Sequence, residues 1–76
     1  MEYLATFPNQ MQAVEYASAL SARGIPHRLM PRPRTLEASC GTAVRFSSRL
    51  PAETLRTIAP VKALYRVEAG GYYPVG

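Results

Sequence analysis

The chain has 76 residues, 47% of them hydrophobic, and a net charge of +4, which fits one small globular domain and argues against disorder. The single cysteine, Cys40, excludes an intrachain disulfide, and the single histidine, His27, has no zinc-ligand spacing around it. No apolar run approaches membrane-spanning length, and the start of the chain lacks the pattern of a signal peptide. We therefore expect a cytoplasmic protein with no metal and no membrane partner.

The first predicted elements are a strand over 3–7 and a helix over 10–23. Asn9 is a typical helix N-cap, and Gln12 three residues later completes an amide version of the capping box. Gly24 follows the helix in the position where a left-handed residue usually ends one. The apolar residues that fall on one face of this helix are Ala13, Tyr16, Ala17 and Leu20.

The remaining elements alternate with proline-rich breaks. Further strands are predicted over 27–30, 42–46 and 61–68. The segment 31–39 contains two prolines and little periodicity, which indicates a loop. A short second helix is predicted to begin at Pro51 and to stop before Pro60.

The order β-α-β-β-α-β predicts an α+β protein of the ferredoxin-like kind, with a four-stranded antiparallel sheet and two helices on one face. We expect a single domain over 1–69 and a flexible tail over 70–76. Alternation along the strands predicts these inward residues: Phe7, Leu29, Val44, Phe46, Tyr65 and Val67.

The same alternation predicts that Arg28, Arg45 and Arg66 lie on the open face of the sheet, together with Met30 and Leu64. Such a basic and partly apolar platform suits an anion, a nucleic acid or a partner subunit. Of the nine basic residues only one is lysine, and guanidinium groups pair with phosphates and carboxylates in a forked geometry. A genome that encodes arginine by default would give the same composition.

Cys40 is the candidate reactive residue. Positive charge and backbone N–H groups stabilise a thiolate, which is the nucleophilic form of cysteine. Gly41 follows Cys40 directly and would permit unusual dihedral angles and close backbone approach, while Arg32 and Arg34 on the preceding loop would supply positive charge. The alternative is that Cys40 is a small buried hydrophobic residue at the start of a strand.

Classical enzymatic turnover is not expected. The sequence offers no serine, histidine and acid trio, no carboxylate pair with a shared site, and no phosphate-binding glycine loop. His27 could act as a base toward Cys40, but thirteen positions and a loop separate them, so a half-buried position at a strand edge is the competing interpretation.

Residues 7–46 resemble a small bacterial family of selenium/sulfur carrier-like proteins. The resemblance is carried by the segments 7–9, 24–29, 31–34 and 40–46, that is FPN, GIPHRL, PRPR and CGTAVRF. It implies a short α/β domain that holds sulfur or selenium on Cys40, with no cofactor other than that covalent atom. It also implies a partner enzyme that donates or accepts the sulfur or selenium.

Two alternatives remain open. The strand order and the arginine-bearing face are similar to RNA-binding domains, but the third strand lacks their glycine-aromatic run and the net charge is modest, so a nucleic-acid partner is not expected. A small binding or regulatory module with a structural cysteine, or a homodimer through the open sheet face, is the other alternative.

Overall fold

In a computed structural model, residues 1–36 and 41–75 form five strands and two helices. In chain order these are β1 (Glu2–Thr6), α1 (Gln10–Ala22), β2 (His27–Pro31), β3 (Thr42–Ser47), α2 (Ala52–Ile58), β4 (Ala63–Glu68) and β5 (Gly71–Pro74). Each predicted strand and helix therefore exists, with ends displaced by at most two residues.

One sheet contains all five strands in the order β2-β3-β1-β4-β5, and every neighbouring pair is antiparallel. The predicted α+β class and antiparallel sheet are confirmed. The predicted number of four strands is wrong, and so is a loose tail over Gly71–Pro74, because this segment pairs with β4 as β5. The ferredoxin-like assignment stays a prediction.

The caps of α1 are those that the sequence predicts. The side-chain oxygen of Asn9 accepts a hydrogen bond from the backbone N–H of Gln12 at 2.9 Å, which satisfies one of the free donors at the helix start. Gly24 has a φ of +68°, the left-handed conformation in which glycine ends a helix at no steric cost. This fixed exit directs the chain into β2.

Both helices pack on the same face of the sheet. The four predicted apolar residues of α1 are buried, and Leu55 of α2 joins them in one core cluster with β1, β3 and β4. The Tyr16 hydroxyl donates a hydrogen bond to the Leu55 carbonyl at 2.8 Å and so links the two helices.

An aromatic cluster occupies the centre of this core. The rings of Tyr3 and Phe46 stack with centroids 5.6 Å apart, and Tyr16 lies 5.5 Å from Phe7 and 5.7 Å from Phe46. These separations are those of favourable aromatic pairs. The inward positions predicted for Phe7, Val44 and Phe46 are confirmed.

The predicted faces of β4 are wrong by one residue. Leu64 pairs with Ala5 and lies in the core, and Arg66 pairs with Tyr3 on the helix-covered side, where it forms an ion pair with Glu68 at 2.6 Å. Tyr65 and Val67 therefore lie on the opposite face. Leu29 shares the face of Val44 by register, but it is 47% exposed because β2 is an edge strand.

The face opposite the helices is partly covered by the connection between β2 and β3. Leu36 of this connection is buried against Leu4 and Ala43. Four partly buried residues surround this second cluster, namely Met30, Tyr65, Val67 and Tyr72. Among the described residues, Leu36 thus covers part of the face that the sequence predicts to be open.

Candidate functional site

The β2–β3 connection is closed at its base by a backbone hydrogen bond from Arg32 N–H to the Gly41 carbonyl, 2.9 Å long. A turn follows in which the Leu36 N–H donates to the Pro33 carbonyl at 3.1 Å. Cys40, the predicted nucleophile, lies outside the described residues. The candidate site is therefore built from the residues that bracket it.

Gly41 is exposed, and apart from its own chain neighbours no described residue has an atom within 4 Å of the position that a Cβ would take. The role expected of Gly41 from the sequence, an unusual dihedral angle or a close backbone approach toward Cys40, involves residues outside the described ranges and stays a prediction. A role for its N–H group stays a prediction.

The two arginines of the connection differ in their surroundings. The Arg32 side chain is half-buried and its Nη1 donates a hydrogen bond to the Leu36 carbonyl, so this guanidinium stabilises the fold of its own loop. Arg34 is exposed at the turn. Of the two, Arg34 is the one whose guanidinium faces solvent and can meet an incoming anion.

Arg28 and Arg45 lie directly opposite each other on β2 and β3, on the face that alternation predicts for them. Arg45 donates a hydrogen bond to the Glu2 carboxylate of β1, 2.6 Å away. This bond, aided by the charges of Arg45 and Arg28, holds the pKa of the Glu2 carboxyl below its ordinary value. The three side chains line an open depression of about 300 Å³.

The structure separates these arginines from the loop base. Arg45 follows Thr42 by three positions along β3, which corresponds to roughly 10 Å at the rise of a strand. Arg28 stands equally far from Pro31. The predicted binding residues therefore fall into two groups, Arg32, Arg34 and Gly41 at the loop and Arg28 with Arg45 near the other end of the hairpin.

His27 belongs to the second group and is exposed, not half-buried. Its Nδ1 donates a hydrogen bond to the Ile25 carbonyl at 2.9 Å. His27 pairs with Phe46, whereas Pro31 pairs with Thr42 beside Gly41, so four strand residues, about 13 Å, separate it from the loop base. This geometry counts against His27 as a base toward Cys40.

Two residues with a structural role at these sites are missing from the sequence interpretation. Glu2 lies on the same face of β1 as Leu4, because alternate residues of a strand share a face. This alternation could have predicted a carboxylate beside the arginines. Leu36 is the sole large apolar residue in the segment 31–39, a signal that part of a loop is buried.

No group of three or more metal-ligating side chains lies together within residues 1–36 and 41–75. Over the same ranges, neither helix has the length and apolar character needed to cross a membrane.

Comparison with known proteins identifies the family. Residues 2–66 match the family model described as "Putative Se/S carrier protein-like", so the match extends past the resemblance over 7–46 into α2 and β4. No curated protein and no solved structure matches the chain. The matched region includes the loop base, the arginine pair and the single cysteine. The chain belongs to the Se/S carrier protein-like family.

Proposed function

We propose that the protein carries sulfur or selenium covalently on Cys40 and exchanges it with a partner enzyme in the cytoplasm. The observation that carries the proposal is that the sole cysteine of the chain lies inside the segment that matches the carrier family. With no second thiol in the chain, a persulfide on Cys40 cannot be resolved as an intramolecular disulfide.

The proposed step is a transfer between thiols. The Cys40 thiolate attacks the terminal sulfur of a persulfide on the donor enzyme, a new S–S bond forms on Cys40, and the donor's S–S bond breaks. The donor cysteine leaves as a thiolate with the bonding electron pair, so no net oxidation or reduction occurs. Delivery is the same exchange with an acceptor thiolate, and selenium would replace the terminal sulfur in a selenium carrier.

The surroundings of the loop support this role through charge. Arg34 is exposed and near Cys40 in sequence, and Arg32 keeps the base of the loop closed through its bonds to Gly41 and Leu36. Positive charge favours the thiolate over the thiol. We assign Arg34 and the Gly41 N–H to thiolate stabilisation, Arg32 to loop positioning, and no turnover chemistry to the domain itself.

Intact-mass measurement tests the proposal directly. The protein is incubated with a cysteine desulfurase and free cysteine, or with a selenium donor, and then weighed without reduction. We expect a gain of one sulfur or one selenium atom, because Cys40 carries the only thiol in the chain. Subsequent reduction should remove the added atom.

Cys40→Ser is the matched control, since the hydroxyl is similar in size and is a poor nucleophile toward a persulfide. An unchanged mass for the wild type with both donors, or an equal gain for Cys40→Ser, would contradict the proposal. Alkylation of Cys40 only after denaturation would point instead to a structural cysteine.

The alternative is a basic binding module that recognises RNA or a protein through the open sheet face. One observation favours it, because Tyr65 lies on that face beside Tyr72 and aromatic side chains can stack on bases. Leu36 counts against it, since it covers the centre of the face. In this alternative Cys40 gains no sulfur or selenium in the mass experiment.

A further inference from the structure

The arginine pair on β2 and β3 is an unusual arrangement for a sheet surface. Arg28 and Arg45 are direct cross-strand partners, so their Cβ atoms are about 5 Å apart. Like charges directly opposite each other destabilise a sheet unless an anion lies between or beside them. A negative charge close to the pair would therefore stabilise it.

The described residues supply only part of the negative charge that the two arginines need. The Glu2 carboxylate bonds to Arg45, whereas Arg28 is exposed with no hydrogen bond or ion pair to any residue in 1–36 or 41–75. The other described carboxylates lie elsewhere, and Glu68 pairs with Arg66. Two guanidinium groups and one carboxylate leave the depression with a net positive charge.

We propose that this depression binds a small tetrahedral oxyanion, of the phosphate type, between the guanidinium groups of Arg28 and Arg45. Planar guanidinium groups bind phosphate oxygens with two parallel hydrogen bonds. The volume of about 300 Å³ is at the lower end of ligand pockets. A small ion fits within this space.

Glu2 and His27 also line the depression. The Glu2 carboxylate already occupies one side of Arg45 and shows that this guanidinium accepts an oxyanion there. Glu2 is thus an internal competitor that an external anion must displace or share. His27 lines the depression as well, but it is the register partner of the buried Phe46 and so belongs to the helix-covered face, away from Arg28 and Arg45.

The site is independent of the proposed chemistry at Cys40. Arg28 and Arg45 lie about 10 Å along their strands from the loop base, and neither thiolate formation nor persulfide transfer requires them. A Cys40→Ser variant should bind the oxyanion as the wild type does. A negative result for the carrier proposal would therefore not contradict oxyanion binding, and a negative result for oxyanion binding would not contradict the carrier proposal.

Titration with inorganic phosphate at low ionic strength, followed by backbone amide NMR shifts, tests the site. We expect saturable shifts at Arg28, Arg45 and their strand neighbours with a Kd on the order of 1 mM. Arg28→Gln should weaken binding about tenfold, since a charge-assisted pair of hydrogen bonds is lost. Glu2→Gln should tighten it, because the competing carboxylate is removed.

Arg66→Gln is the matched control, because Arg66 also pairs with a glutamate at 2.6 Å but lies on the other side of the sheet. Its phosphate affinity should equal that of the wild type. Arg28 is exposed, so its variant is expected to fold, and its amide spectrum verifies this. Absence of shifts at tenfold the expected Kd, an equal loss in Arg66→Gln, or no gain in Glu2→Gln would overturn the proposal.

Discussion

Tyr16 is the residue that joins the two helices. Its ring contacts Phe7 and Phe46, and its hydroxyl donates to the Leu55 carbonyl from a fully buried position. Burial raises the pKa of the Tyr16 phenol to about 12, because a phenolate would lose its hydration in this environment. A single side chain therefore connects core packing with the hydrogen bonding of α2.

Tyr16→Phe should lower the free energy of unfolding by about 1–2 kcal/mol, since the variant leaves the buried Leu55 carbonyl without its donor. Urea unfolding measures the loss. Tyr73→Phe is the control, because Tyr73 is 46% exposed, and it should be neutral. Equal effects of the two substitutions would contradict the assigned role.

The same residue gives an alkaline pH dependence. The folded-state pKa of about 12 exceeds the ordinary value of 10.0, so above that ordinary value the unfolded chain releases a proton that the folded chain keeps. Wild-type stability should decline as the pH rises through this interval. Tyr16→Phe lacks this contribution, and the stability difference between the two proteins should shrink.

At the scale of elements, the turn between β4 and β5 explains why the fifth strand escaped prediction. Ala69 and Gly70 both have positive φ values, 48° and 76°, as in the two-residue hairpin turns that favour Asn-Gly. Alanine is an uncommon residue there, because its Cβ clashes in the left-handed region. The turn signal in the sequence is correspondingly weak.

Ala69→Gly should stabilise the protein by about 0.5–1 kcal/mol, because glycine adopts a positive φ without steric cost. Ala69→Val should destabilise it, since a β-branched side chain is less tolerated in this region. Thermal unfolding of both variants tests the turn. A loose tail would show no change in either variant.

The error in β4 has a different physical origin. Alternation assigns a strand's more apolar set to the core, and Tyr65 with Val67 is more apolar than Leu64 with Arg66. That rule assumes a solvated second face, whereas Leu36 and Tyr72 cover part of it. Tyr65 and Val67 are half-buried there. Because both faces of β4 bury apolar side chains, alternation along the sequence does not decide which set of residues faces the core.

At the scale of the whole molecule, the sheet is covered unequally on its two faces. Two helices cover one face, while on the other face, among the described residues of the β2–β3 connection, Leu36 is buried against the sheet. Leu36 is 8% exposed, in contrast to the 47% of Leu29 on the edge strand. Leu36 is thus part of the packed structure.

Leu36→Ala should lower the free energy of unfolding by about 2 kcal/mol, at the low end for a truncated leucine because a loop can partly close the gap. Leu29→Ala should change it by about 0.5 kcal/mol or less, as an exposed position does. Denaturant unfolding compares the two variants. Similar small effects would mean that the connection contributes little to stability.

Elements with strong local signals were predictable from the sequence, as the capped helix α1 and its four buried residues demonstrate. The open-face position of Arg45 also followed from alternation, because Val44 and Phe46 give β3 a clear phase, and Arg28 is the register partner of Arg45. The ion pair between Arg45 and Glu2 and the burial of Leu36 against the sheet depend on which strands become neighbours. Such contacts between distant residues have no local pattern.

The aromatic cluster also makes the protein its own optical probe. The sequence has five tyrosines and no tryptophan, so near-ultraviolet absorption and emission come from tyrosine. Tyr3 and Tyr16 are held in fixed, asymmetric contact with phenylalanine rings, which gives tyrosine circular dichroism in the folded state. Loss of that signal reports disruption of the helix–sheet interface without any added label.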